Sequence, residues 1–262
     1  MEFSIRCQLA INIAKSSGEI LKKGFHTSYS ITEKEGKHNI VTEYDLLSEK
    51  HLINSIKNAF PEDSILSEEV GKVEVSNSKY RWIIDPLDGT VNYSQQIPVF
   101  AVSIGIEKNE ELFAGVILIP MLDELFYCEK GKGAYLNGER IYVSKTADLE
   151  KTVLATGFPY DLEENPDKCL DIFLSIAKKG LPIRRLGAAA IDFAYVAAGR
   201  FDGFWETHLG AWDCAAGVLL VEEAMGKVST WNGQDYTIQD KNQVLATNGL
   251  IHQELIKGFN FQ

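Results

Sequence analysis

Apolar residues recur at helical spacing through positions 3–23, where Phe3, Ile5, Leu9, Ile13, Ile20 and Leu21 would share an inward face and Gly24 follows the last turn. A second helical pattern runs from Thr42 to Ala59 and stops before Pro61. The texture then changes. Ala101–Glu107, Leu112–Ile119 and Leu122–Glu129 are β-rich runs parted by turns at Lys108-Asn109 and Pro120-Met121. Gly131-Lys132-Gly133 and Asn137-Gly138 punctuate further hairpin-like pieces. Strands joined so tightly predict an antiparallel meander. From about residue 150 strands and helices alternate. Val153–Thr156 precedes a helix around Asp167–Lys179, and Ile183–Leu186 precedes Ala188–Ala198. Gly203–Trp205 precedes Asp213–Met225, and Val244–Thr247 precedes a last helix. Residues 1–145 thus read as α+β and 146–262 as α/β. Nothing between them resembles a linker, so one compact unit is expected.

One segment departs from this patterning. Trp82-Ile83-Ile84 reads as a buried strand and runs straight into Asp85-Pro86-Leu87-Asp88-Gly89-Thr90. Pro86 denies Asp85 a helical conformation, and Gly89 lets backbone approach a ligand closely. Carboxylate and carbonyl oxygens suit Mg²⁺, and free N–H groups after Gly89 suit an anion. Other acids also follow apolar segments: Glu68-Glu69 after Ile65-Leu66-Ser67, Asp45 after Val41, and Asp213 at the start of an almost wholly apolar helix. Singly, each has a plain reading. Thr42-x-x-Asp45 is a capping box, Asp213 a charge at a helix N-terminus, and Glu68-Glu69 a solvated pair. Jointly, they would need cations to coexist.

Composition narrows the function. The 262 residues carry a formal charge of −11, which argues against nucleic acid or an anionic membrane as the main partner. It does not exclude an anionic substrate, because bound metal ions reverse the local sign. Four scattered cysteines without a CxxC pair, and five histidines without HxH or HExxH spacing, speak against structural zinc or a disulfide framework. They fit a reducing cytoplasm. Glu2, Arg6, Lys15 and Glu19 make the N-terminus unlike a signal peptide, and the longest apolar stretches are too short to span a bilayer.

Asp85-Pro86-Leu87-Asp88-Gly89-Thr90, with Trp212-Asp213-Cys214-Ala215-Ala216-Gly217, resembles the two signatures of the inositol monophosphatase family, lithium-sensitive Mg²⁺-dependent phosphatases. The resemblance extends through Asn39-Ile40-Val41-Thr42, Ser67-Glu68-Glu69, Gly157-Phe158-Pro159-Tyr160 and Arg184-Arg185-Leu186-Gly187 to Trp205-Glu206. It implies an αβαβα layered sandwich of the inositol monophosphatase/fructose-1,6-bisphosphatase type. It implies in-line attack of water on a small phosphate monoester, most simply inositol 1-phosphate, with no phosphoenzyme. One Mg²⁺ would be held by Glu68, Asp85 and the Leu87 carbonyl, and a second by Asp85, Asp88 and Asp213. A third would sit by Glu68. Mn²⁺ is an alternative ion and Li⁺ an expected inhibitor. Thr90 and Asp45 match the pair that orients and deprotonates the water. The N–H groups of Gly89 and Thr90 would hold phosphate. Asp88, Gly187, Ala188, Ala189, Glu206 and Asp213 match positions facing the leaving group, and Lys34 a loop lysine near the metals.

Two departures stand out: Ser67 where glycine is common, and Ala188 where many relatives carry Ser or Thr. Arg184 and Arg185 would face a second phosphate or, the favoured reading, support the interface of a homodimer. Fructose-1,6-bisphosphate, histidinol phosphate and NADP- or 3′-phosphoadenosine-type nucleotides are rival substrates on the same scaffold. A regulatory scaffold in transcription or RNA processing is the rival from another class.

Overall fold

The computed structural model describes residues 2–34, 40–238 and 242–259; Asn39 of the family-like segment lies outside them. Helix α1 (Ile5–Gly24) starts at Ser4, whose hydroxyl accepts a hydrogen bond from Cys7 N at 3.2 Å. Its buried face is Cys7, Ala10, Ile13, Ala14, Ser17, Gly18 and Leu21, while Ile5 is 67 % exposed, contrary to the expected stripe. Small residues take this face because the sheet beneath is close. A Cβ on Gly18 would lie 2.4 Å from Leu118 Cδ2.

A ribbon of β1 (Ile31–Glu33) and β2 (Ile40–Thr42) leads to α2 (Glu43–Ala59), and α1 and α2 pack together against an eight-stranded sheet. Its strands are β3 (Ser64–Ser67), β4 (Gly71–Val73), β5 (Tyr80–Asp88) and, after the short helix α3 (Thr90–Ser94), β6 (Ala101–Lys108), β7 (Glu111–Ile119), β8 (Glu124–Glu129), β9 (Gly133–Leu136) and β10 (Glu139–Ile141). They lie in the order β10-β9-β8-β7-β6-β5-β3-β4. From β5 to β10 every strand pairs antiparallel with its neighbour in sequence, the expected meander. Strand β3 joins parallel to β5, which brings the Ser67 end of one beside the Ile84 region of the other. The strand expected from Leu122 begins at Glu124, because Pro120–Leu122 forms a 3₁₀ turn and Asp123 takes φ +52°.

The second half supplies β11 (Leu154–Thr156), α4 (Cys169–Ala177), β12 (Ile183–Arg184), α5 (Ala189–Ala197), β13 (Gly203–Leu209), α6 (Ala211–Glu223), β14 (Lys227–Ser229), β15 (Asn242–Thr247) and α7 (His252–Phe259). The sheet order is β12-β11-β13-β15-β14, parallel around β11 and antiparallel around β15. Helix α4 starts at Cys169 rather than Asp167, since Asp167 and Lys168 have φ of +51° and +58°. Helices α5 and α6 fill the space between the sheets, and α4 and α7 cover the far face of the second. This is the expected αβαβα sandwich. No helix among the described residues is long and apolar enough to cross a membrane.

Helix α6 sits unusually low on the first sheet. A Cβ on Gly105 would lie 2.5 Å from Ala215 Cβ, and one on Gly115 2.7 Å from Ala216 O. Gly115→Ala is therefore expected to cost about 2–3 kcal/mol, because the obstacle is helix backbone. In α7 a Cβ on Gly258 meets nothing nearer than Lys179 Nζ at 3.5 Å, so Gly258→Ala should be neutral or stabilising by up to about 1 kcal/mol. Urea denaturation of both variants checks the contrast.

His252 is buried between Ser229 Oγ and Thr247 Oγ1, each 2.8 Å from a ring nitrogen. Burial, helped by Lys227, lowers its pKa from 6.5 to about 4. The unfolded chain then binds the extra proton first, so stability is full above about pH 6.5 and falls as pH drops towards 4, by up to about 3 kcal/mol. In His252→Asn that part of the acid sensitivity should vanish, read from denaturation midpoints at pH 7 and pH 4.5.

Candidate active site

Strand β5 carries its two acids across an irregularity. Asp85 pairs with Ser103 and Asp88 with Ala101, so three steps along β5 meet two along β6. The bulge falls at Pro86-Leu87, where proline has no N–H for the ladder. Asp213 arrives from the first turn of α6, and carboxylate oxygens of Asp85, Asp88 and Asp213 come within 4.8 Å of one another. Each acid is met by backbone N–H: Leu87 N to Asp85 Oδ1 at 3.0 Å, Ala190 N to Asp88 Oδ2 at 2.8 Å, and Gly210 N to Asp213 Oδ2 at 2.7 Å. These donors do not cancel the charge. Burial, followed by Glu68, Asp88 and Asp213, pushes Asp85 well above the carboxylate range. Burial and the neighbouring acids do the same to Asp213, and burial lifts Asp88 to about 7.

Glu68 lines the same cleft but is not one of the three converging acids. Its Oε1 lies 3.2 Å from Lys34 Nζ, which also reaches Glu69 at 2.5 Å. Asp45 makes contacts with both of its oxygens. Its Oδ2 accepts from Thr42 N at 2.8 Å and Thr42 Oγ1 at 2.5 Å, closing the capping box. Its Oδ1 lies 3.0 Å from Thr90 Oγ1, which stands equally 3.0 Å from Leu87 O. Burial raises Asp45 to about 6, against the pull of the Thr42 and Thr90 hydrogen bonds.

Gly89 links β5 to α3 at φ +91°, where a Cβ would lie 3.0 Å from Val99 O. Gly187, Ala188, Ala189 and Glu206 line the cleft, whose volume is about 1220 Å³; Arg185 lines it too, and Arg184 does not. Ala188 is the N-cap of α5 and offers no capping side chain. Burial, then Asp88, raises Glu206 to about 8, with Arg185 opposing. A Cβ on Gly157 would fall 2.1 Å from Glu206 Oε2, so glycine there makes room for this carboxylate.

Several supports escaped the sequence reading. Buried Glu49 accepts from Ser67 Oγ, from Glu69 N at 3.2 Å and from Val70 N at 2.9 Å, and so pins the turn that carries Glu68. Ser67 is thus an anchor at its unusual position. An acid four residues after Asp45 on one helical face was the available signal. Asn92 Nδ2 donates to Val99 O at 2.7 Å and Leu186 O at 2.9 Å, tying α3 to the Gly187 turn. Asp192, buried in the cleft wall, had no motif to mark it.

The sequence profile of the inositol monophosphatase family matches residues 6–262. The chain belongs to this family. A Pseudomonas aeruginosa protein named Nus factor SuhB is 41 % identical over 254 residues, 95 % of this chain and 93 % of the relative. An inositol-1-monophosphatase from Caulobacter vibrioides is 38 % identical over 250 residues, 95 % of each chain. The crystal structure of extragenic suppressor protein suhB from Bartonella henselae matches with a TM-score of 0.93 at 37 % identity, covering 98 % of this chain and 99 % of that one.

Membership of the inositol monophosphatase family makes the chain a phosphoric monoester hydrolase of a metal-dependent type. The donor set fits that chemistry. The converging acids offer oxygen only, with no His or Cys among them, which favours a hard divalent cation. Neutralising one acid should relieve the repulsion that a cation would otherwise relieve. In EDTA, Asp85→Asn should melt above the wild type, by roughly 1–3 kcal/mol of added stability, and should lose the rise in melting temperature that Mg²⁺ gives the wild type. A variant less stable than wild type in EDTA, or still stabilised by Mg²⁺, would remove Asp85 from the cation site.

Proposed function

We propose that this chain hydrolyses small phosphate monoesters with two to three Mg²⁺ ions, Mn²⁺ substituting, and that inositol 1-phosphate, cleaved to myo-inositol and phosphate, is the foremost substrate. The observation that carries the reading is the convergence of Asp85, Asp88 and Asp213 within 4.8 Å beside a Thr90–Asp45 pair 3.0 Å apart. Glu68, Asp85 and the Leu87 carbonyl would hold one ion, Asp85, Asp88 and Asp213 a second, and Glu68 a weaker third. Bound there, such ions acidify water and screen charge on the phosphoryl and leaving oxygens.

The chain's own residues handle the proton and the geometry. Water gives a proton to Thr90 Oγ1 as Thr90 passes its own to Asp45 Oδ1. The water oxygen bonds to phosphorus while the ester P–O bond breaks on the opposite side, and the leaving alkoxide takes a proton from solvent. Thr90 has one hydrogen and two acceptors at 3.0 Å. Were the Leu87 carbonyl to hold a cation, Asp45 would remain the acceptor. A carboxylate raised to about 6 is basic enough for the task near neutral pH. The amides of Gly89 and Thr90 would hold phosphate oxygens. Asp88, Asp213, Glu206 and the Gly187–Ala189 turn would meet the leaving group, with Ala188 contributing backbone only. The same reading places the enzyme in the cytoplasm as a Li⁺-inhibited homodimer.

Fructose-1,6-bisphosphate, histidinol phosphate and nucleotide phosphates are the alternative substrates. A second role is favoured by one finding, the 41 % identity to a protein named a Nus factor. Asp88→Asn should abolish phosphate release from inositol 1-phosphate and from each of these alternatives without lowering the melting temperature. Rescue of a cellular defect by that dead variant would establish the second role.

Thr90→Val and Asp45→Asn should each lower kcat by about 10²–10⁴-fold with little change in KM, and the double variant should be no slower than either. Steady-state rates on inositol 1-phosphate decide this, since multiplicative losses would break the relay into two independent parts.

A further inference from the structure

Helix α2 turns one buried face towards the residues of the active site. Asp45, Ser48 and Glu49, spaced by three and four, share that face and are all buried. Asp45 meets Thr90, and Glu49 pins the turn that carries Glu68. Ser48 lies between them and has no part in the mechanism proposed above. Its Oγ donates to Pro86 O at 2.8 Å, inside the β5 bulge. A hydroxyl has one hydrogen, so Ser17 is the donor in the 2.5 Å contact between Ser17 Oγ and Ser48 Oγ. A directed chain of buried hydroxyls thus runs from α1 through α2 to the bulge.

The peptide that receives this chain is the one that serves Asp85. The Pro86–Leu87 peptide is a trans plane, so its C=O and N–H point to opposite sides. Ser48 holds the C=O side, and the N–H side donates to Asp85 Oδ1 at 3.0 Å. Proline has no N–H of its own to fix residue 86 in the ladder. Rotation of the plane would turn the Leu87 N–H away from the carboxylate, and a serine on the neighbouring helix opposes that rotation.

Resting on the reading of Asp85 as a cation ligand, we infer that Ser48 is a positioning residue, which orients the Asp85 carboxylate for a divalent cation through the Pro86–Leu87 peptide. Were the two serines there for packing alone, they would be equivalent. Their connectivity makes them unequal: Ser48 touches the peptide that serves Asp85, and Ser17 touches Ser48.

The test is Mg²⁺ binding to the EDTA-stripped full chain by isothermal titration calorimetry, in the wild type, Ser17→Ala, Ser48→Ala and Ser48→Cys, each checked by its melting temperature. In Ser48→Ala the Kd for Mg²⁺ should rise about tenfold, the scale on which supports behind a metal ligand act. Ser17→Ala removes a buried hydroxyl from the same pair and should hold Kd within about twofold. Ser48→Cys keeps the shape with a weaker donor, so about a threefold rise is expected, and it carries the comparison should the alanine variant not fold. Equal shifts from Ser17 and Ser48, or none from Ser48, overturn the role of Ser48 and leave the cation site intact. A wild type that binds no Mg²⁺ overturns the cation reading and this inference with it.

Discussion

Three carboxylates within 4.8 Å, set in the wall of the cleft, make the demand that the rest of this structure meets. Repulsion between them would spread a compliant site, and burial adds to the cost of every charge. The chain answers with fixed dipoles drawn from three places: Leu87 N within the β5 bulge, Ala190 N at the start of α5, and Gly210 N at the start of α6. Such donors hold position only if their elements do. That gives a physical purpose to the bare backbone at Gly105 and Gly115, which lets α6 rest on the sheet bearing Asp85 and Asp88, and to the Asn92 bridge between α3 and the Gly187 turn.

The acids also do structural work. Asp45 closes the capping box of α2 with one oxygen and faces Thr90 with the other. Asp213 takes the N–H of Gly210 at the start of α6 while its carboxylate joins the converging group. A helix cap is a good mount for a reacting group. It is held by backbone geometry rather than by side-chain packing, and the first turn points unpaired N–H groups at anions. A capping contact and a place in the cleft are therefore compatible at both positions.

That pattern explains what was legible beforehand. The Trp82-Ile83-Ile84 strand, the acids after it, the meander and the α/β rhythm all follow from periodicity and turn chemistry, because those signals are local. What stayed hidden was set by neighbours distant in sequence. Ile5 fits a helical stripe but faces outward, since the approach of Gly18 to Leu118 selects small residues for the inner face. The parallel entry of β3 beside β5 has no local mark. Glu49 reads as a surface glutamate on a helix, and only the turn at Ser67–Val70 shows why it is buried. Asp192 sits in an apolar helix, where its own burial has no local mark.

The cleft is also divided by how its negative charge is balanced. At one end the acids converge closely enough for divalent cations to neutralise them, and the phosphate chemistry proposed there needs little else. At the other, Glu206 and Asp192 stand too far from that cluster to be counted in it, and the cation that reaches both is the exposed Arg185. The first end is carried by the two segments that resemble the family's signatures. The second depends on single side chains around α5 and β13, which is where members sharing one fold and one metal site have room to differ in what they release from phosphate.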